Sequence, residues 1–408
     1  MNGQGKIPLL NQQRRLLKYE TTSGSRGCQN AGIAFLLKGK VELEKLEQAL
    51  IKLSYLHDAF DLTFIRDDDG EIYMKKLGTD RAVWKYHDYT GVDLELDSRI
   101  ESASAEAARI VLEPMEIFGG KLFDFHIFLL DDDCLMILLK ASHLIVDGPS
   151  FTAIYTQLSE LYSGIAQKPP MLWRKFVELE QNYCASIEGI RAQTHWKNLT
   201  LPSPITRKEL AELRFDKNEW AEPMLSGDLI RKTAKRAKTS VFNILLLTYT
   251  LALAEIFSHD DFAVDYTLTN RFREDMRCMV GLTTHSLPFV LQNISHLSFS
   301  DMVDAVKKQQ NEGFQNFVMA DNAASNQFCL SYLSETIRMP GWEGVSVERR
   351  PFNGNQKYGD LSCTLICSEK KDFIELRLNK DSEIYPQEFD SCLFFRMNKI
   401  LNRFSDEK

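Results

Sequence analysis

The 408-residue sequence has no Cys-x-x-Cys pair; its cysteines, Cys28, Cys134, Cys184, Cys278, Cys329, Cys363, Cys367 and Cys392, are scattered. No histidine-rich cluster completes a ligand set, so no metal site is expected. Positive charge is also short. The net charge of −8 excludes a general nucleic-acid binder, because phosphate binding needs a positive surface. The opening Met1-Asn2-Gly3-Gln4-Gly5-Lys6 lacks the apolar core of a signal peptide. Long apolar runs are missing too. The most apolar stretch, 241–257, carries Asn243, Thr248, Thr250 and Glu255, and reads as a buried helix rather than a membrane span. With no internal repeat and no low-complexity segment, the expectation is a soluble, reduced, cytoplasmic protein.

What is present suits a large core: 44% hydrophobic and 26% charged residues, in a chain longer than one core usually supports. Two lobes are therefore expected. The best break is 163–170, with Lys168-Pro169-Pro170, and a second linker rich in proline and threonine covers 199–206. This divides the chain into 1–168, a connecting segment 169–206, and 207–408. In the first lobe, Leu43, Leu46, Leu50 and Leu53 predict a helix over 41–56. Asp67-Asp68-Asp69-Gly70 predicts a hairpin turn. Apolar runs at 122–130 and 134–141 read as adjacent buried strands, followed by a helix over 149–162 with Pro149 in its first turn. One helix is expected over 173–196. The second lobe should hold helices at 227–238 and 239–257, N-capped by Ser226 and Thr239. Strands are expected at 262–268, 287–291, 328–333, 363–367 and 373–378, and a closing helix at 386–404. The mixed order implies an α/β or α+β protein.

Between the strand at 134–141 and the helix at 149–162 lies Ser142-His143-Leu144-Ile145-Val146-Asp147-Gly148. Strand, polar loop and helix together hold a side chain on a rigid edge while leaving it accessible. Other segments in order carry a resemblance. Pro8-Leu9-Leu10-Asn11-Gln12-Gln13-Arg14-Arg15-Leu16, Leu56-His57-Asp58-Ala59-Phe60, Asn270-Arg271-Phe272-Arg273, Val280-Gly281-Leu282-Thr283-Thr284-His285-Ser286-Leu287-Pro288 and Tyr358-Gly359-Asp360-Leu361-Ser362 complete the set. The chain resembles the condensation domains of nonribosomal peptide synthetases, within the chloramphenicol-acetyltransferase-like acyltransferase superfamily. Ser142 stands where the family's first motif histidine usually sits, giving SHxxxDG, as in some ring-closing members. His285 replaces the usual asparagine and Asp61 an arginine, and the family's HQDxPFE segment is not recognisable around 314–322.

The resemblance implies two such lobes in a V with the active-site tunnel between them. It implies that His143 is the catalytic residue and that Asp147 is structural, with Arg271 as its partner. Gly148 would let the backbone turn tightly into the helix, whose N-terminal N–H groups would face a developing oxyanion. His285 and Ser286 are candidate tunnel-lining residues. A neutral imidazole, with a pKa of about 6.5, accepts a proton from an attacking amine. A covalent acyl-Ser142 is disfavoured, because neighbouring strand residues point to opposite faces. The implied substrates are a phosphopantetheine-linked thioester on a peptidyl or acyl carrier protein acting in trans, and a free or carrier-bound amine acceptor. No permanently bound cofactor is implied. No carrier or adenylation segment is evident, which suggests a stand-alone or excised domain. Three functions stay open: amide formation from carrier-bound thioesters, coenzyme A-dependent O- or N-acyl transfer, and a catalytically inactive domain that recruits partners. The basic stretch Arg231, Lys232, Lys235, Arg236 and Lys238 could dock an acidic carrier, although a solvated helix face is the simpler reading.

Overall fold

The computed structural model describes residues 5–22, 27, 29–78, 84–216, 218–318, 327–333, 342–350 and 361–406. Tyr358-Gly359-Asp360 and residues 319–322 thus lie outside the described residues. In chain order the elements are β1 (Ile7–Pro8), α1 (Asn11–Thr22), β2 (Asn30–Lys38), α2 (Leu43–Leu56), β3 (Leu62–Arg66), β4 (Ile72–Lys76), β5 (Trp84–Asp88), α3 (Leu96–Leu112), β6 (Phe123–Asp131), β7 (Cys134–Ser142), α4 (Gly148–Tyr162) and α5 (Trp173–Ala185). Next come α6 (Ile187–Lys197), α7 (Arg207–Glu212), β8 (Met224–Ser226), α8 (Gly227–Arg236), α9 (Val241–Phe257), β9 (Phe262–Thr269) and α10 (Glu274–Arg277). The chain finishes with β10 (Thr284–Leu291), α11 (Phe299–Gln315), β11 (Phe328–Leu333), β12 (Ser346–Arg350), β13 (Cys363–Glu369), β14 (Phe373–Lys380) and α12 (Phe389–Asp406).

Two compact units result, and they do not follow the boundaries expected from linker composition. The first takes Met1–Tyr183, Thr269–Thr283 and Ile337–Gly354; the second takes Cys184–Leu268, Thr284–Thr336 and Asn355–Lys408. Strand pairing explains part of the difference: β12 is far along the chain but pairs antiparallel with β2, from Ser346↔Lys38 to Arg350↔Ala34. The helix expected over 173–196 is likewise two helices. Ser186 breaks it by accepting the Gly189 N–H, which starts α6 afresh.

The first unit is built on the sheet β12-β2-β7-β6-β5, with a smaller sheet β1-β4-β3. Strand β7 is central, and all nine of its residues are buried. Its side chains alternate between two cores. Ile137 and Leu139 pack with Leu46, Leu50, Ile154 and Leu158 of α2 and α4, whereas Met136 and Leu138 pack with Ala103, Ala107 and Ile110 of α3. Helices on both faces are why this strand reads as a continuous apolar run. Fully burying each such aliphatic side chain stabilises the unit by about 1.5–3 kcal/mol. This packing fixes the end of β7, where the motif begins.

In the second unit the sheet order is β10-β9-β11-β13-β14-β8, packed in one core with α8, α9, α11 and α12. The N-cap of α9 is Ser240, which accepts the Asn243 N–H; the expected Thr239 instead accepts from the Asn243 side chain. Among the described residues no single helix is long and apolar enough to cross a membrane, and no group of side chains is placed to hold a metal. The basic face of α8 is partly engaged, with Lys232 2.7 Å from Asp228 and Arg231 3.6 Å from Glu369.

Candidate active site

Strand β7 delivers Ser142 and His143 to different surroundings. Ser142 is fully buried, and its backbone N–H donates to Leu122 O at 2.9 Å. Its hydroxyl accepts the Leu144 N–H at 3.3 Å, so it supports the turn. His143 is half-buried, and its N–H donates to Gln29 O at 2.7 Å. The imidazole Nδ1 lies 3.2 Å from Val146 O. A carbonyl oxygen only accepts, so the contact requires the proton on Nδ1 and leaves the lone pair on Nε2. Burial pushes the His143 pKa below its ordinary value, outweighing the Val146 carbonyl and the Asp147 charge that act to raise it. The ring is therefore neutral at pH 7, with Nε2 as its base.

Asp147 faces inward. Its Oδ1 accepts from Ser150 N at 2.9 Å, Ser150 Oγ at 2.7 Å and Arg271 Nη2 at 2.8 Å. Its Oδ2 accepts from Thr283 N at 2.9 Å and Thr283 Oγ1 at 2.8 Å. Arg271 spends its other donors on Thr283 Oγ1, Met276 O and Met279 O. Burial alone would raise the Asp147 pKa, but the Arg271 charge and the bonds from Ser150 and Thr283 prevail and hold it below the usual carboxylate range. With both oxygens occupied, this carboxylate is an anchor that ties the start of α4 to the 269–283 segment. Gly281, in that segment, admits no larger residue without movement: a Cβ there would sit 2.2 Å from the Trp173 ring.

Two expectations are corrected here. Gly148 is the first residue of α4 and is not among the residues with positive φ, so the turn does not require glycine; Asp147, extended at φ −128° and ψ −179°, makes it. Nor is the N-terminus of α4 an open donor set. Pro149 has no N–H, and the Ser150 N–H is taken by the cap formed with Asp147. Among the described contacts only the Gly148 N–H of that first turn is left over.

His57 and Asp58 do not pair with each other. Buried His57 donates from Nε2 to Gln157 Oε1 at 2.7 Å, and burial lowers its pKa to about 4 despite that bond. Asp58 instead accepts the N–H of Trp173 at 2.7 Å, at the start of α5. His285 and Ser286 lie on β10 in the second unit, with the buried His285 ring 5.9 Å from that of Phe317. The sequence reading overlooked Ser150 and Glu20, and gave Gln13 and Thr283 no role beyond their place in the matched segments. Ser150 carried a signal, since a hydroxyl three residues after an aspartate suits a helix cap.

A buried strand, a histidine whose ring is anchored on Val146 O and an aspartate locked to a distant arginine make up this candidate site on a mixed α/β scaffold. The condensation-domain family model matches residues 3–318, and the chain belongs to that family. Surfactin synthase subunit 1 of Bacillus subtilis (strain 168) is 22% identical over 94% of this chain, which spans only 11% of that protein. Among solved structures, the X-domain from teicoplanin biosynthesis is similar with a TM-score of 0.81 at 15% identity, covering 100% of this chain and 96% of that one. A starter condensation domain of rhizomide synthetase, solved in complex with C8-CoA, gives 0.79 at 16% identity, covering 99% and 95%. The fold is accordingly that of the chloramphenicol-acetyltransferase-like condensation domains.

Proposed function

We propose that the chain transfers an acyl or peptidyl group from a carrier-bound phosphopantetheine thioester to an amine, forming an amide. The observation that carries this reading is the His143 imidazole, whose Nδ1–H is committed to Val146 O and whose Nε2 is left as the base. The amine nitrogen bonds to the thioester carbonyl carbon as the carbonyl π electrons move to oxygen. Its surplus proton passes to His143 Nε2. Collapse of the tetrahedral intermediate breaks the C–S bond, and the proton goes on to the departing sulfur. An amine is already a competent nucleophile when neutral, so positioning contributes beside proton transfer. Asp147 and Arg271 hold the loop and take no proton.

A second donor is supported by the rhizomide neighbour, a starter domain in complex with C8-CoA. Coenzyme A and carrier-bound thioesters share the same reacting carbonyl. The protein is incubated with acyl-loaded carrier proteins, acyl-coenzyme A thioesters and a panel of amines and alcohols, and products are read by mass spectrometry. Amide formed only with loaded carriers supports the first reading, and product with free coenzyme A thioesters the second. No product with any donor contradicts both and favours a recruiting domain.

A further inference from the structure

Helix α1 faces the motif loop with two buried polar side chains, Gln13 and Glu20, seven residues and two helical turns apart. Gln13 is fully buried. Its Nε2 donates to Leu144 O at 2.8 Å, while its Oε1 accepts the Leu10 N–H at 3.1 Å and keeps the amide oriented. Glu20 is 6% exposed, and its carboxylate accepts two backbone donors: Gly27 N–H on Oε1 at 2.6 Å and Gln29 N–H on Oε2 at 3.1 Å. The carbonyl of that same Gln29 receives the His143 N–H at 2.7 Å.

We infer that Glu20 is a positioning residue for His143, with Gln13 as the second arm of one clamp. Glu20 fixes the backbone that holds His143 on its N-terminal side, and Gln13 fixes the peptide that follows it. The imidazole's own anchor, Val146 O, lies in the same short turn, so a shift of His143 N against Leu144 O misplaces Nδ1 relative to its acceptor. Bonds from backbone N–H to a carboxylate are charge-assisted and geometrically firm. A reacting group set wrongly by about 1 Å loses on the order of a hundredfold in rate. Gly27, at φ +86°, is the loop residue whose shape exposes its N–H to Glu20; a Cβ there would meet Leu112 O at 3.2 Å. The inference rests on the role proposed for His143, which Glu20 does not itself touch.

Glu20→Gln is the direct test. The amide keeps one acceptor, but its NH2 confronts the second backbone N–H. Two readouts are needed on the folded protein: 15N chemical shifts of His143, which report the tautomer without any substrate, and kcat/KM for the donor found productive above. The expected result is a mixture of Nδ1–H and Nε2–H forms in place of one, with kcat/KM lowered about tenfold or more. A variant that melts earlier yet keeps the single tautomer and the wild-type rate overturns the inference. His143→Ala is assayed beside it: if that variant is as active as wild type, the transfer reading fails, while the tautomer result still decides the clamp. If Glu20→Gln does not fold, hydrogen exchange on the wild type decides. Gly27 and Gln29 amides protected as strongly as the β7 amides support the clamp, and exchange at open-loop rates overturns it.

Discussion

Replacing Asp147 by asparagine changes almost no volume and removes one charge from a buried, densely hydrogen-bonded cluster of the first unit. The Asp147 and Arg271 side chains are 3% and 5% exposed, so neither can turn to water. In the variant the guanidinium loses its counter-charge, and the new NH2 must point at donors whichever way the amide lies. One orientation meets Ser150 N and Arg271 Nη2, and the other meets Thr283 N and Oγ1. Breaking a buried ion pair from one side costs about 3–5 kcal/mol. Asparagine still caps a helix well, so little of that loss comes from the cap itself. With about 2–4 °C per kcal/mol for a unit of this size, Tm should fall by about 6–20 °C. Calorimetry on Asp147→Asn, Arg271→Met and the double variant gives both the loss and the coupling. The double variant should be markedly more stable than the sum of the single losses implies. A single loss within about 0.5 kcal/mol, or strict additivity, would refute the anchoring role. By the same logic Asp147→Ala should destabilise the protein more than His143→Ala.

Stability should also depend on acid in a defined window. His57 has a folded pKa of about 4 and an ordinary value of 6.5, so below pH 6.5 the unfolded chain binds a proton that the fold refuses. Stability should therefore fall with decreasing pH by about 1.4 kcal/mol per pH unit from this site until pH 4 is reached. His57→Gln should remove one proton from that slope in urea titrations; an unchanged slope contradicts the burial of neutral His57. Asp147, with its depressed pKa, adds a loss only below about pH 3.8, where the unfolded chain takes up a proton that the fold still refuses. Gly281→Ala should cost about 1–3 kcal/mol by overpacking against Trp173, and wild-type stability would mean that the ring yields freely. The acid limb of kcat/KM, expressed on the concentration of neutral amine so that the acceptor's own titration drops out, should have its midpoint below pH 6.5, because burial lowers the His143 pKa; a midpoint above that value would contradict the environment described for this ring.

What was legible in the sequence follows from local physics. The strand–loop–helix around His143 was readable because β7 is one apolar run bounded by aspartates and because Pro149 fits a first helical turn. Helix α3 was legible yet overlooked: Ile100, Ala103, Ala107, Ile110 and Val111 recur at helical spacing on its buried face. Strand β12, Ser346–Arg350, is polar and half-exposed at a sheet edge, so no alternation marks it. The Thr239 cap failed because two adjacent hydroxyls compete, and only Ser240 reaches the Asn243 N–H. Within the site, the family pattern named Asp147 and Arg271, but their shared partner Thr283 lies 136 residues from Asp147. Periodicity carries no information about a contact of that kind. Glu20 was invisible for a related reason: its ligands are backbone N–H groups, which every sequence possesses. The α4 N-terminus was misjudged because the cap that signals a helix start also consumes its free donors.

In the proposed mechanism His143 Nε2 accepts the proton of the attacking amine. Single-turnover amide formation by wild type and His143→Ala, on the same productive donor and at matched folded concentration, tests it most directly. Loss of a general base should slow the variant by about 10²–10⁴-fold with its fold intact. Equal rates would show that positioning alone drives the reaction, and that the histidine at the end of β7 is not its base.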